Sequence, residues 1–293
     1  MIRTYYLLTK PGIIMGNLVT TIGGFALASR GRFDLPLFLF LLAGLGGVIA
    51  SACVFNNYID RELDRKMERT KHRPLAAGLV SGKRAILFAL ALGLGGISLL
   101  LFKTNLLSAS LSALGFFVYV ALYSFWKSRT TYATLVGSVS GALPPVIGYT
   151  AASNNIDVGA LILFLLLVLW QMPHFFSIAM YRFNDYAAAA IPVLPIKKGI
   201  TAAKVHMLLY IAAFLLACTT LLLFGYAGTA YLLVSSIAGF VWLILCAQGF
   251  TAQDDKLWAR QMFVCSLVVI MALCLMISLD SASPATQIGA LSR

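Results

Sequence analysis

The sequence predicts an all-α integral membrane protein, a bundle of nine transmembrane helices, and three observations carry that prediction. The 293 residues are 60% hydrophobic and only 11% charged, whereas about a quarter of a soluble domain is charged. Apolar runs near the ~20 residues needed to span a bilayer recur along the whole chain. Basic residues gather in alternate connections between those runs, which is the positive-inside pattern.

The first run, near 13–29, follows a short basic start (Arg3, Lys10) and contains Ala26-Leu27-Ala28. That combination resembles a secretory signal peptide, but the run is long for a signal core and many spans follow, so a retained helix is expected. An amphipathic leader rich in Arg and Ser is absent, which favours a bacterial plasma (inner) membrane over a mitochondrial one. The second run, 36–58, ends in the one dense charged segment, Asn56 to Pro74. The third and fourth, 84–102 and 105–125, are divided only by Lys103-Thr104-Asn105. In the fifth, 132–152, Gly137-Ser138-Val139-Ser140-Gly141-Ala142 precedes Pro144-Pro145 and Gly148. Small residues permit close helix contact, and the prolines are expected to kink the helix beside a cavity. The remaining runs are 158–180, 205–224, 228–249 and 261–279, and the chain 1–293 reads as a single membrane domain.

The net charge of +12 would suggest nucleic acid for a soluble protein. Here, however, 18 of the 22 Lys and Arg residues fall in the N-terminus and the even-to-odd connections. The opposite side holds Arg30, Arg32, Lys103 and Arg293. The N-terminus and the Asn56–Pro74 segment are therefore expected in the cytoplasm, with no nucleic-acid partner. No Asp, Glu, Lys or Arg lies mid-span, which weighs against an ion-coupled transporter, since such carriers place costly charges within the membrane. Five cysteines stand singly in apolar runs and read as small apolar helix residues.

Asn56, Asp60 and Asp64 are spaced four apart, so a continuing helix stacks an amide and two carboxylates on one face at the membrane edge. Oxygen ligands of this kind suit Mg²⁺, which prefers a few carboxylates plus the phosphate oxygens of its substrate. Arg61, Arg65, Lys66, Arg69, Lys71 and Arg73 exceed what the carboxylates need as partners, and the surplus points to a diphosphate. The bland alternative is a solvated helix extension in which Asp60, Glu62, Asp64 and Glu68 pair with neighbouring arginines. Joined to a membrane cavity, a diphosphate implies an amphiphile such as a prenyl diphosphate. Metal and cations would stabilise the departing diphosphate. On the fourth helix Tyr119, Tyr123 and Lys127, again four apart, form an aromatic face ending in a cation. Their rings are candidates to shield an allylic cation, or belong to an interfacial aromatic belt.

A second cluster reads Trp170-Gln171-Met172-Pro173-His174, then Tyr181-Arg182-Phe183-Asn184-Asp185-Tyr186, then Ile191-Pro192-Val193-Leu194-Pro195. Asp64, Pro74 and Gly78 recur at the same spacing as Asp185, Pro195 and Gly199. A parallel pseudo-repeat is therefore expected, pairing the helix 2–3 and helix 6–7 segments. In that register Tyr181 matches Asp60 and Ser177 matches Asn56.

The string N-x-x-x-D-R-x-x-D-x-x-M-x-R-T-x-x-R-P-L, from Asn56 to Leu75, resembles the first aspartate-rich motif of the UbiA superfamily of intramembrane prenyltransferases. Thr9-Lys10-Pro11-Gly12, Tyr123-Ser124 with Lys127, Gly141 to Gly148, Trp170 to His174 and Pro192 to Pro195 are similar to one branch of it. That branch transfers farnesyl from farnesyl diphosphate to a vinyl group of haem b, with water supplying a hydroxyl. The resemblance covers nearly the whole chain and implies nine helices around a central cavity open to lipid. It implies that Asn56, Asp60 and Asp64 hold Mg²⁺ and diphosphate, and that Arg69, Arg73 and Lys127 contact the diphosphate. Trp170, His174, Tyr181 and Arg182 become candidate substrate contacts, His174 towards haem. The superfamily's second motif normally has two aspartates four apart, but here Tyr181 stands in the first place and Asp185 is alone, which puts a second metal in doubt. Implied partners are farnesyl diphosphate, haem b as substrate, the lipid bilayer, and haem-handling or terminal-oxidase assembly proteins. Alternatives from the same sequence are a prenyltransferase for a quinone precursor or chlorophyllide, a polytopic transporter, and a structural subunit of a respiratory complex.

Overall fold

A computed structural model describes residues 2–281; Arg293, counted above on the less basic side, lies outside them. Among these residues nine helices are long and apolar enough to cross a membrane: Pro11–Ser29, Leu35–Ile59, Gly82–Lys103, Leu106–Trp126, Ala133–Ser153, Val158–Tyr181, Ile200–Leu223, Thr229–Thr251 and Asp255–Leu279. The chain is a multi-pass membrane protein. Short polar residues set several of the boundaries by accepting backbone N–H groups that a helix start leaves free. Asp34 accepts from Leu37, Asn105 from Ser108, Asp157 from Gly159 and Asp254 from Lys256. Asn105 thus explains how so short a turn separates the third and fourth helices.

Consecutive spanning helices pack on one another, the first also packs on the fifth and the sixth on the ninth, and the ninth returns to the first. The first and fifth helices meet backbone to backbone. A Cβ on Gly24 would lie 1.9 Å from the Pro145 carbonyl oxygen, and one on Gly148 would lie 2.2 Å from that of Thr21. Small residues were expected to allow such an approach, and here they are required for it. Leu94, Leu216 and Leu275 stand more than half exposed on the outside, where a lipid solvent accepts apolar surface.

The seventh helix begins at Ile200 and the ninth at Asp255, earlier than hydropathy alone indicates. The added turns are joined by an ion pair. Lys204 is buried, and its ammonium donates to the Asp255 carboxylate and to the Gly249 carbonyl, each at 2.5 Å. A charge satisfied in this way no longer breaks a span as it does in a hydropathy window.

The fourth helix departs from regular α geometry. Val118–Tyr123 forms a π turn between Leu106–Phe117 and Ser124–Trp126, a feature frequently found at functional sites. It carries Tyr119 and Tyr123 with their rings stacked, centroids 5.5 Å apart.

The second and sixth helices are each followed by a short helix, Arg61–Lys66 and Phe183–Ala188. Gly78 and Gly199 then take positive φ, 74° and 87°, a region glycine enters without steric cost.

Candidate active site

The bundle encloses a cavity of about 760 Å³ with one charged end and an apolar body. Asn56, Asp60, Asp64, Arg69, Arg73 and Lys127 line the charged end, and Leu45, Val48, Leu143 and Ile147 the body. Tyr119, Tyr123, Trp170 and His174 also line it. The structure therefore brings together ten of the residues singled out from the sequence.

At the charged end each candidate oxygen ligand is met by a cation. Lys10 Nζ donates to Asn56 Oδ1 at 2.6 Å. Lys127 Nζ forms an ion pair with Asp60 Oδ2. One Arg73 guanidinium nitrogen lies 2.9 Å from both oxygens of Asp64, whose buried carboxylate is only 2% exposed. Asp60 Oδ1 and Asn56 Nδ2 are buried without a hydrogen-bond partner among the described residues. A buried carboxylate oxygen left unpaired costs free energy, so Asp60 Oδ1 is an acceptor in search of a positive ligand.

Other charges of the segment are absorbed locally. Arg65 pairs with Glu62 and Lys71 with Glu68 on the surface, while Arg61 lies over the Tyr58 ring and donates to the Tyr58 carbonyl. Glu62 and Glu68 thus fit the solvated-helix reading; Asp64 shares its pairing with a nearby arginine, but Asp60 and Asp64 are buried and line the cavity together with their cations. The cationic surplus is smaller than the sequence count suggests, but it is concentrated where the carboxylates are.

Three of the singled-out residues do not line the cavity. Asp185 touches the first cluster only as a distant acceptor for the Arg69 backbone N–H, at 3.5 Å. Arg182 sits over the ring of Tyr181, 4.4 Å from its centroid. In this region the cavity is lined instead by Tyr186, Ile191, Pro192 and Val193. Burial pushes the Tyr186 phenol above its ordinary pKa.

Sequence reasoning missed Lys10, Tyr186 and Ser266. Lys10 precedes a proline and has φ 52°, a left-handed conformation that is strained for a side chain with a Cβ. Burial and the repulsion of Arg73 lower its ammonium pKa to about 8. The only sequence signal was its place in Lys10-Pro11-Gly12. Ser266 is far in sequence from the two cavity residues it holds. Trp170 Nε1 donates to its carbonyl at 2.8 Å, and its Oγ meets His174 Nδ1 at 2.7 Å.

The donor set fits Mg²⁺ bound together with a phosphate ligand. Among the described residues no three His, Cys, Asp or Glu side chains gather into a metal cage. Two carboxylates and an amide, with one carboxylate oxygen unpaired, suit a hard cation that takes its remaining ligands from a diphosphate.

Residues 17–268 match the UbiA prenyltransferase family. The chain belongs to it. The family assignment agrees with relatives of nearly equal length. The chain is 54% identical over 285 residues, 97% of each, to the Protoheme IX farnesyltransferase of Cronobacter sakazakii (strain ATCC BAA-894). It is 53% identical over 280 residues to the enzyme of the same name from Protochlamydia amoebophila (strain UWE25), covering 96% of this chain and 99% of the relative. The UbiA fold is also found in solved structures. A UbiA homolog from Archaeoglobus fulgidus bound to DMAPP and Mg²⁺ superposes with a TM-score of 0.72 at 16% identity, covering 94% of this chain and 99% of its own. A digeranylgeranylglyceryl phosphate synthase gives 0.77 at 18% identity, covering 95% and 99%.

Proposed function

We propose that this UbiA-family protein transfers the farnesyl group of farnesyl diphosphate to a vinyl group of haem b, with addition of water, giving haem O. The observation that carries the reading is the near-full-length likeness to proteins named protoheme IX farnesyltransferase. The cavity supplies the physical support. Its charged end suits a diphosphate, its apolar body suits a prenyl chain, and its aromatic wall suits a porphyrin.

Asp60, Asp64 and Asn56 would hold Mg²⁺, which when bound supplies neutralisation of the leaving diphosphate. Lys10, Arg69, Arg73 and Lys127 meet the diphosphate oxygens as charge develops on them. The stacked faces of Tyr119 and Tyr123 lie against the allylic carbon and favour its positive charge. The vinyl π electrons form the new C–C bond, the C–O bond to diphosphate breaks, and a water oxygen captures the porphyrin-stabilised cation and loses a proton. No phenol has to be deprotonated, which accords with Tyr181 in place of an aspartate. The N-terminus and the charged connections face the cytoplasm of a bacterial inner membrane on this reading.

Purified protein given haem b, farnesyl diphosphate and Mg²⁺ in ¹⁸O-labelled water tests it. The expected product is heavier than haem b by one farnesyl group and one labelled hydroxyl. Untouched haem alongside a prenylated phenol would remove the haem acceptor and leave a prenyltransferase.

A further inference from the structure

The sixth and ninth helices are stitched together at one residue. Ser266 is fully buried; its carbonyl accepts from Trp170 Nε1 at 2.8 Å and its Oγ lies 2.7 Å from His174 Nδ1. Trp170 and His174 are one helical turn apart and stack, with ring centroids 4.7 Å apart. The Phe263 ring lies tilted against the imidazole, centroids 5.1 Å apart.

Counting protons fixes the tautomer. The Ser266 hydroxyl has one hydrogen and donates it to the Phe263 carbonyl at 2.6 Å. A carbonyl can only accept, so the Ser266 oxygen must accept from the imidazole and His174 Nδ1 must carry a proton. In the neutral ring Nε2 then has a free lone pair, and it has no hydrogen-bond partner among the described residues. His174 lines the cavity.

A lone pair so placed has two uses: to take a proton or to bind a metal ion. Trp170, Phe175 and Phe263 are the rings around the imidazole, and no carboxylate is among its contacts. Charging an imidazole in such surroundings is costly, whereas coordination leaves the ring neutral. Ligating histidines typically donate their other N–H to a fixed acceptor, which sets the tautomer and the ring plane.

We infer that Ser266 is a positioning residue that locks His174 as the Nδ1–H tautomer, so that Nε2 coordinates the iron of the haem substrate and fixes the porphyrin against the Trp170 wall. This rests on haem b being the acceptor, and it assigns the axial contact and the group that orients it.

The test is ferric haem b titrated into purified protein without farnesyl diphosphate, read by absorption spectrum, so that binding is separated from transfer. Wild-type protein is expected to give a nitrogen-ligated spectrum. His174→Ala should lose it and regain it on adding imidazole. Ser266→Ala should weaken haem binding about tenfold and mix the spectrum with an unligated form, while Ser266→Thr, which keeps the hydroxyl, should restore it. If His174→Ala binds haem with an unchanged spectrum, the inference fails and the haem acceptor stands. If wild-type protein binds no haem, both fall. Should His174→Ala not fold, Ser266→Ala decides: an unaltered spectrum and affinity overturn the proposal.

Discussion

A single guanidinium nitrogen of Arg73 sits 2.9 Å from both oxygens of Asp64, tying the loop at Arg73 back to the short helix Arg61–Lys66 that follows the second spanning helix. Asp64 is almost wholly buried and Arg73 is about three-quarters so. Removing one partner of a buried pair leaves an uncompensated charge and costs ~3–5 kcal/mol. Arg73→Met is therefore expected to lower the thermal midpoint in detergent by several degrees. Arg73→Met with Asp64→Asn should recover much of that loss, because the double variant buries no bare carboxylate. Equal midpoints for Arg73→Met and the wild type would show that the pair contributes no stability.

Asp60→Ala and Asp64→Ala should each reduce turnover by more than ~100-fold, the scale of losing one group that stabilises a developing anion. Membrane insertion should be retained. Farnesyl transfer by both variants at wild-type rate and unchanged Mg²⁺ dependence would reduce the two carboxylates to loop decoration. Asp185→Asn should have a smaller effect, since Asp185 reaches the first cluster only through the Arg69 backbone.

Gly24→Ala places a Cβ 1.9 Å from the Pro145 carbonyl oxygen, where neither helix backbone can give way locally. Overpacking typically costs ~1–3 kcal/mol and occasionally more, and backbone-to-backbone contact belongs at the upper end. The expected readout is a lower thermal midpoint than that of Gly12→Ala, whose added methyl meets nothing within 4 Å. Matching midpoints would mean that the first and fifth helices can separate freely.

Cysteines introduced at Ala77, Lys198 and Gln253 should resist a membrane-impermeant thiol reagent in intact cells and react once the cells are opened. Gln253 is exposed and is preferable to Asp255, whose carboxylate holds the buried Lys204. The native cysteines are a modest background, four of the five being buried. Labelling at 77 from outside would reverse the topology and move the charged end of the cavity with it.

The helices were legible because a bilayer permits few alternatives: a run of apolar residues near ~20 long must be a helix, and caps such as Asn105 and Asp157 then set its ends. The charged end was legible because Asn56, Asp60, Asp64 and Arg73 lie close in sequence, on the end of the second helix, the short helix after it and the loop that follows. What could not be read depends on contacts between distant segments. Lys10 meets Asn56 across 46 positions, and His174 meets Ser266 across 92. The π turn at Val118–Tyr123 was invisible for another reason, because its residues are ordinary helix formers and only the hydrogen-bond register differs.

The pairing of Lys10, Lys127 and Arg73 with Asn56, Asp60 and Asp64 has an electrical consequence. On the proposed reading, Asn56, Asp60 and Asp64 would hold the dication while Lys10, Lys127 and Arg73 turn to the diphosphate that arrives with it. The site's own charges would then change partners rather than leave, with dication and diphosphate arriving as opposite charges. At no stage does the low-dielectric interior hold a large unbalanced charge, whose cost would otherwise oppose loading. Metal offered without diphosphate would have to evict cations that have nowhere to go.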